Sequence, residues 1–320
     1  MTWFKSAVAA ALLLAAPEMA GAQAYPTGPI KMLVGFPPGG TTDIIARDLG
    51  SELEKVWKQP VIIENRSGAN GGLAATQIAK MPADGHSLMT IVSGHITNPL
   101  VSPNAGYDAL KDSTPICLVG SSPLLIFAHP SFAPNNMTEA IKAAKEKPGT
   151  IAYSTPGVGS IQQLSLELVG VQSGAKFQHI PYRGGAPALN DVLAGHVQMS
   201  VLSVFQALPL VKDKRLKPLA VTALKRNELL PDVQTVAEAG VPDYEASLLF
   251  GVIGPPGMPP AVVAKLNAEI VRIVKTPQML AKFAAQGVVP IASTPAEFTA
   301  YMQTEIKKWA EVIKAANIKE

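Results

Sequence analysis

The sequence predicts an α/β protein built from two lobes. Short apolar runs typical of buried strands alternate with helical patterns from residue 25 to about residue 224, which indicates βαβ units and a mostly parallel sheet. These strands are more numerous than one doubly wound sheet usually needs, so two lobes are favoured over one. Because ligands of such sheets bind beyond the carboxyl ends of the strands, we expect a ligand cleft where these ends face each other.

Strands are predicted where apolar residues follow one another almost without interruption, as in IKMLVGF at residues 30–36. The same criterion gives strands at residues 61–64, 87–93, 115–119, 124–128, 151–154, 178–182, 197–202, 218–222 and 248–253.

Helices are predicted from apolar residues at i+4 spacing, as in Ile45, Leu49 and Leu53 behind Asp43. Further helices are expected at residues 71–80, 138–147, 160–173, 186–194 and 205–211. The motif GPPGMPP at residues 254–260 is a rigid break. Helices at residues 261–275, 278–286 and 295–315 are predicted to follow it.

Composition excludes several classes of protein. Of the 320 residues, 48% are hydrophobic and 16% are charged, which is too apolar for a disordered chain. The net charge of +3 is too small and too dispersed for a nucleic-acid-binding protein. Cys117 is the one cysteine, so no intrachain disulfide is possible.

The first 24 residues predict a secretory signal peptide. Lys5 precedes a short apolar segment at residues 7–16, and Ala22-Gln23-Ala24 fits the rule for a cleavage site. The apolar segment is too short to span about 30 Å of hydrocarbon. We therefore expect cleavage near Ala24 and a periplasmic location.

Four predicted strand-to-helix loops are rich in glycine and hydroxyl side chains: residues 36–43, 93–99, 154–160 and 182–187. Glycine lets a ligand approach the backbone closely, and a helix N-terminus directs free N–H groups toward an anion. Phe36 is a candidate lining residue of an apolar pocket, together with Phe205 and Phe250. The candidate ligand-binding residues are Phe36, Gly39, Gly40, Thr41, Thr42, Ser93, His95, Thr155, Gly159, Ser160, Arg183, Gly184, Gly185 and Ala186.

Sequence motifs of enzymes and metal sites are mostly missing. The chain has no dinucleotide fingerprint, no Walker loop and no nucleophile elbow, and its histidines lack metal-ligand spacing. We therefore expect no catalytic residue, no metal and no cofactor. Among the histidines, His95 is favoured as a cleft residue, whereas His179 lies within a strand and is favoured as a core residue.

Several motifs together resemble the Bug family, the extracytoplasmic solute receptors of tripartite tricarboxylate transporters. They are YPTGPIKMLVGFPPGGTTDIIAR, ENRSGANGG with ADGHSLM, KPGTIAYSTPGVGS, HIPYRGGAPALNDVLAGHVQMS, LAVTALKRNELLPDVQTVAEAG and GPPGMPPAVVAKLN. The similarity extends in collinear order over the chain after the signal. Two departures from the family pattern are Pro38, in place of the usual Ala, and Gln162-Gln163, near a position where His is common.

The resemblance implies a two-lobed, flytrap-like (type II) periplasmic-binding-protein fold with its ligand cleft between the lobes. It implies a small carboxylate ligand, aliphatic or aromatic, held by backbone amides and hydroxyls, and membrane permease subunits as partners of a monomeric receptor. By position, it selects Gly39, Gly40, Thr41 and Thr42 in the first loop. In the facing lobe it selects Thr155, Gly159 and Ser160, with Gly184, Gly185 and Ala186.

We expect residues 25–125 and 248–320 to form lobe one and residues 126–247 to form lobe two. Two other functions stay open: an exported hydrolase or transferase, for which Ser93 and His95 are the weak candidate pair, and a sensor that presents its ligand to a signalling partner.

Overall fold

The computed structural model describes residues 25–319, so the predicted signal peptide lies outside the described residues. The strands are β1 (Ile30–Val34), β2 (Val61–Asn65), β3 (Ser87–Val92), β4 (Thr114–Ala128), β5 (Ala152–Thr155), β6 (Gln178–Pro181), β7 (Met199–Ser203), β8 (Lys217–Val221), β9 (Ser247–Gly254) and β10 (Val289–Pro290). The α-helices are α1 (Thr41–Trp57), α2 (Gly72–Ile78), α3 (Gly94–Val101), α4 (Met137–Glu146), α5 (Ile161–Ser173), α6 (Gly185–Leu193), α7 (Val204–Lys212), α8 (Pro260–Val274), α9 (Pro277–Ala285) and α10 (Pro295–Ala315). No helix within residues 25–319 is long and apolar enough to cross a bilayer.

Strand β4 belongs to both sheets of the molecule. Its first part pairs with β9 and β10 in a sheet of order β2-β1-β3-β9-β4-β10. Its last part, from Leu124 to Ala128, pairs with β7 and β8 in a sheet of order β8-β4-β7-β5-β6. We call the first sheet with its helices lobe one and the second lobe two.

The strand directions bring the carboxyl ends of the two lobes toward each other. Because β3 and β4 are both antiparallel to β9, the parallel set β1, β2 and β3 runs in the direction of β4. The parallel set β5, β6 and β7 runs against β4, since β7 pairs with it antiparallel. Val92, at the end of β3, pairs with Phe250 of β9, and Phe250 in turn pairs with Gly120 of β4. Ser203, at the end of β7, pairs with Leu124 of β4. Both sets therefore end near the middle of β4.

Helices cover both faces of each sheet. In lobe one, α1, α8 and α9 pack on one face through Ile45, Leu266 and Phe283, and α2 and the start of α10 cover the other. In lobe two, α4 and α5 cover one face, and α6 and α7 cover the other through Val192 and Ala207. Each sheet is thus buried on both sides, as its near-continuous apolar strands require.

Helix α10 packs against both lobes. It begins with a capping box in which Thr294 and Glu297 exchange hydrogen bonds. Phe298 lies in a core cluster of lobe one, whereas the fully buried Trp309 lies in the cluster that contains α4 and α5. The Trp309 indole N–H donates to Glu305 Oε2 at 2.7 Å. Alongside the strands that connect the lobes, α10 thus forms a further bridge between them.

A buried threonine joins the two chain segments that pass between the lobes. The Thr222 hydroxyl accepts from Leu124 N at 2.8 Å and donates to Ala246 O at 2.6 Å. Two backbone hydrogen bonds join the same residues: Thr222 N donates to Leu124 O at 3.0 Å, and Ala246 N donates to Thr222 O at 3.1 Å. Thr222 is fully buried, so these groups have no water to replace a lost partner.

Most predicted elements are found within a few residues of their expected bounds, with three differences. The strands predicted at residues 115–119 and 124–128 form one continuous strand, β4. Pro123 lies where the pairing of β4 with β9 ends, so the N–H that proline lacks does not interrupt the strand. The sheet is parallel only within each outer set, since its central strands β4 and β9 are antiparallel to their neighbours. Residues 93–99, predicted as a strand-to-helix loop, lie almost entirely within helix α3.

We expect Thr222→Val to destabilise the protein, because it leaves Leu124 N and Ala246 O buried without the hydroxyl partner. Urea unfolding should show a free energy of unfolding lower by about 1–3 kcal/mol. Thr222→Ser keeps the hydroxyl and is the control, expected to lose less. Equal stability of the Val variant and the wild type would contradict this role of the hydroxyl.

Candidate functional site

The four glycine-rich loops lie at the carboxyl ends of β1, β3, β5 and β6, where the two lobes face each other. A direct contact joins the second and third of them: the Thr97 hydroxyl in α3 donates to Gly159 O at 2.8 Å. A Cβ placed on Gly159 would lie 3.1 Å from the Val101 side chain. The loops that were predicted from separate parts of the sequence thus belong to one region.

A buried carboxylate shapes the first loop. Asp43 is 2% exposed, and its Oδ2 accepts from Gly39 N and from Arg47 Nε, both at 2.9 Å. Asn65 Nδ2 donates to Asp43 Oδ1 and to Phe36 O, again at 2.9 Å. Burial alone would raise the pKa of Asp43, but the hydrogen bonds from Arg47, Gly39 and Asn65 lower it below its usual value. Asp43 therefore holds the loop as an anion.

The start of α1 has no side-chain cap. Its N-cap residue is Gly40, whose side chain is a hydrogen, and no other side chain caps this end. Gly40 is exposed, Thr41 is half-buried and Thr42 is buried. The half-buried Phe36 ring lies beside Gly71, whose added Cβ would be 3.5 Å from it. First-turn N–H groups of α1 are thus left for a ligand or water.

The second loop is more buried than predicted. The Ser93 hydroxyl accepts from Leu249 N at 3.1 Å, which ties it to β9. His95 is 4% exposed, stacks on Tyr107 and places Nε2 3.1 Å from Ala109 O. Burial lowers the pKa of His95 to about 4, so the ring is neutral near pH 7. This packing indicates a structural role for His95. The contact of His95 with a ligand remains a prediction, and the burial of the ring does not favour it.

The third loop is held by internal hydrogen bonds. Ser160 caps α5 by accepting from Gln163 N at 3.3 Å, and its hydroxyl donates to Gly157 O at 2.7 Å. Gly159 N donates to Gln163 Oε1 at 2.8 Å. Thr155 is fully buried. Gln163, which sequence reasoning noted only as a departure from the family pattern, is therefore a residue that shapes this loop.

The fourth loop lies directly beside the third, since Gly184 N donates to Pro156 O at 3.0 Å. Gly184 has a φ of 117°, which favours glycine, and it precedes α6 without a side-chain cap. Arg183 and Ala186 are exposed, and Gly185 is half-buried. Arg183 is the only Lys or Arg in the four loops, and it makes no ion pair with any residue of the described chain.

A fifth loop, after β2, was not predicted as part of the site. From Gly68 to Gly71 every residue has a positive φ, including Ala69 at 47° and Asn70 at 49°. Asn98 of α3 donates to Ala69 O at 2.5 Å, and the buried Nδ2 of Asn70 has no partner in the described structure. Strained backbone of this kind is concentrated at functional sites. The glycines of SGANGG were the available signal.

Ser93 and His95 were the candidate pair for covalent chemistry. Ser93 and His95 do not form a nucleophile–base pair, since each bonds to backbone atoms instead. No group of three or more potential metal ligands occurs among residues 25–319. Phe250 is fully buried in the core of lobe one, whereas Phe205 is 37% exposed at the start of α7.

Comparisons with a family model, with known sequences and with solved structures agree with one another. The model of the tripartite tricarboxylate transporter family receptor matches residues 45–318. BugT of Bordetella pertussis is 34% identical over 311 residues, covering 96% of this chain and 94% of BugT. The solved structure of R. palustris Rpa4515 with adipate is 33% identical with a TM-score of 0.85, covering 92% of this chain and 99% of that one. MatC from Rhodopseudomonas palustris with bound malate is 29% identical with a TM-score of 0.81, covering 90% and 100%.

The family match extends over most of the chain, and the related structures share its two-lobed fold over nearly their whole length. This chain belongs to the tripartite tricarboxylate transporter receptor family.

Proposed function

We propose that the protein is a periplasmic receptor that captures a small carboxylate between its lobes and delivers it to the permease subunits of a tripartite transporter. The observation that carries this proposal is that α1 in lobe one and α6 in lobe two both begin at the cleft without a side-chain cap. Their first-turn N–H groups and partial positive charge suit an anion. Relatives solved with adipate and with malate support the carboxylate class.

Recognition through the backbone follows from the scarcity of cationic side chains. Arg183 is the one Lys or Arg in the four loops, so a carboxylate in the cleft is balanced mainly by helix N-termini and hydroxyls. The proposed contacts are the residues named from the sequence other than His95, whose ring packs in the core, with Asn70 added for its unpartnered amide. Not every backbone donor is free, because Asp43 and Gln163 already accept from Gly39 and Gly159.

Lobe closure is the proposed means of capture. A ligand that bonds to both lobes stabilises the closed state, whereas equal affinity for both states would shift nothing. With the predicted division into residues 25–125 with 248–320 and residues 126–247, we propose that the crossing segments at residues 124–128 and 248–253 act as hinges. We propose that residues 1–24 direct export and are removed near Ala24.

We expect a carboxylate to raise the melting temperature of the mature chain. For a micromolar ligand at millimolar concentration, the stabilisation of about 4 kcal/mol corresponds to several degrees. The measurement is thermal unfolding against adipate, malate, citrate, glutamate and benzoate, with their neutral amides as controls. The absence of any shift across the panel would contradict the carboxylate proposal, and turnover of a bound acid would indicate an enzyme.

We expect Gly40→Val to weaken carboxylate binding by at least about tenfold, which is about 1.4 kcal/mol. Gly40 has φ −77°, and an added Cβ meets nothing closer than Pro37 O at 3.8 Å, so the fold tolerates the side chain. The branched side chain would cover the open end of α1. Calorimetric titration measures the affinity, and urea unfolding should change by only about 1 kcal/mol.

Gly28→Val is the matched control for this variant. Gly28 precedes β1 at the opposite edge of the sheet, and its added Cβ meets nothing within 4 Å. The control should bind as the wild type does. Wild-type affinity in Gly40→Val would remove the start of α1 from the binding site.

A further inference from the structure

His179 lies where it can control the third loop. β5 and β6 are parallel neighbours in which Tyr153 pairs with His179 and Thr155 with Pro181. Side chains two apart on a strand share a face of the sheet, so His179 lies alongside both Tyr153 and Thr155. The structure places His179 Nε2 2.6 Å from Thr155 Oγ1.

The Thr155 hydroxyl continues this contact into the loop. It lies 3.2 Å from Gly157 O, and Gly157 N donates to it at 3.3 Å. Gly157 has a φ of 152°, a conformation that favours glycine. The same Gly157 carbonyl accepts from the Ser160 hydroxyl, which caps α5. A chain of hydrogen bonds therefore runs from His179 to the start of the helix that faces the cleft.

The imidazole of His179 packs against the ring of Tyr153. The fully buried Tyr153 ring lies 5.1 Å from the His179 ring, centroid to centroid, at a tilt of 36°. The Tyr153 hydroxyl donates to Glu167 Oε1 at 2.6 Å, which fixes the tyrosine. Burial lowers the pKa of His179 to about 4, so the ring is neutral near pH 7 and acts through geometry and not through charge.

We propose that His179 is a positioning residue for ligand binding, holding the Thr155 hydroxyl so that the loop from Thr155 to Ser160 keeps its binding geometry. This proposal rests on the proposed function, because it assigns a part to a loop of that site. His179 does not touch the ligand in this account. Its effect on affinity passes through Thr155 alone.

A double-mutant cycle tests this route. Thr155→Val and His179→Leu should each weaken binding of the malate or adipate probe by about tenfold. The double variant should be no weaker than either single variant, because both remove the same hydrogen bond. His179→Gln, whose amide can reach Thr155, should restore most of the affinity. Additive losses would overturn the proposal, as would unchanged affinity in His179→Leu.

The matched control is His129→Leu. His129 is also half-buried and bonds to a hydroxyl, with its Nδ1 2.7 Å from Ser131 Oγ, but it follows β4 at the end remote from the cleft. It should bind the probes as the wild type does. An equal loss in this control would show that His179→Leu acts by general destabilisation.

Amide hydrogen exchange without ligand separates this proposal from the proposed function. Exchange at Gly157 and Ser160 should accelerate in His179→Leu and Thr155→Val, and should be restored in His179→Gln. Wild-type exchange in His179→Leu would overturn the positioning role. If the wild type bound neither malate nor adipate, the choice of probe would be wrong, and these exchange rates would still decide whether His179 holds the loop.

Discussion

The architecture depends on the main-chain hydrogen bonds of β4. This strand of 15 residues pairs along both edges, with β9 and β10 in lobe one and with β7 and β8 in lobe two. In lobe one β9 lies between β4 and the parallel set, which therefore runs in the direction of β4, whereas in lobe two β7 pairs directly with β4 and runs against it. The parallel strands of the two lobes therefore run in opposite directions. Their carboxyl ends therefore face each other at the level of the middle of β4, and the loops of the candidate site follow these ends.

Some backbone N–H groups at the cleft donate to side chains of the protein, and others are left for a ligand. Donors that would disturb the loops are satisfied internally, as Gly39 is by Asp43 and Gly159 is by Gln163. The ends of α1 and α6 have no side-chain cap and remain available, whereas α5 and α7, which begin at the same edge of lobe two, are capped by Ser160 and Ser203. An anion that accepts hydrogen bonds from the first-turn N–H groups takes the place of the missing caps, and it is bound by both lobes at once.

Sequence reasoning succeeded where the signal is local. Apolar runs located the strands, and glycine-rich turns located four loops that the structure brings to the same edge. It did not find α3, whose Gly94 and Pro99 argue against a helix in isolation, because tertiary packing of Ile96 and Val101 outweighs that propensity. It favoured His95 as a cleft residue and His179 as a core residue, from local context alone. Distance along the chain conceals that His179 lies next to Thr155, whereas His95 points into the core.

The order of apolar and glycine-rich segments by itself determined the α/β class, the two lobes and the chemistry of the loops, because these follow from local periodicity and from backbone preferences. The tertiary structure alone decided the pairing of β4 in two sheets, the bridge of α10 across the lobes and the assignment of donors as occupied or open. These properties depend on contacts between residues far apart in sequence, such as Thr222 with Leu124 and Thr97 with Gly159. No local pattern encodes which distant carbonyl or hydroxyl a given side chain meets.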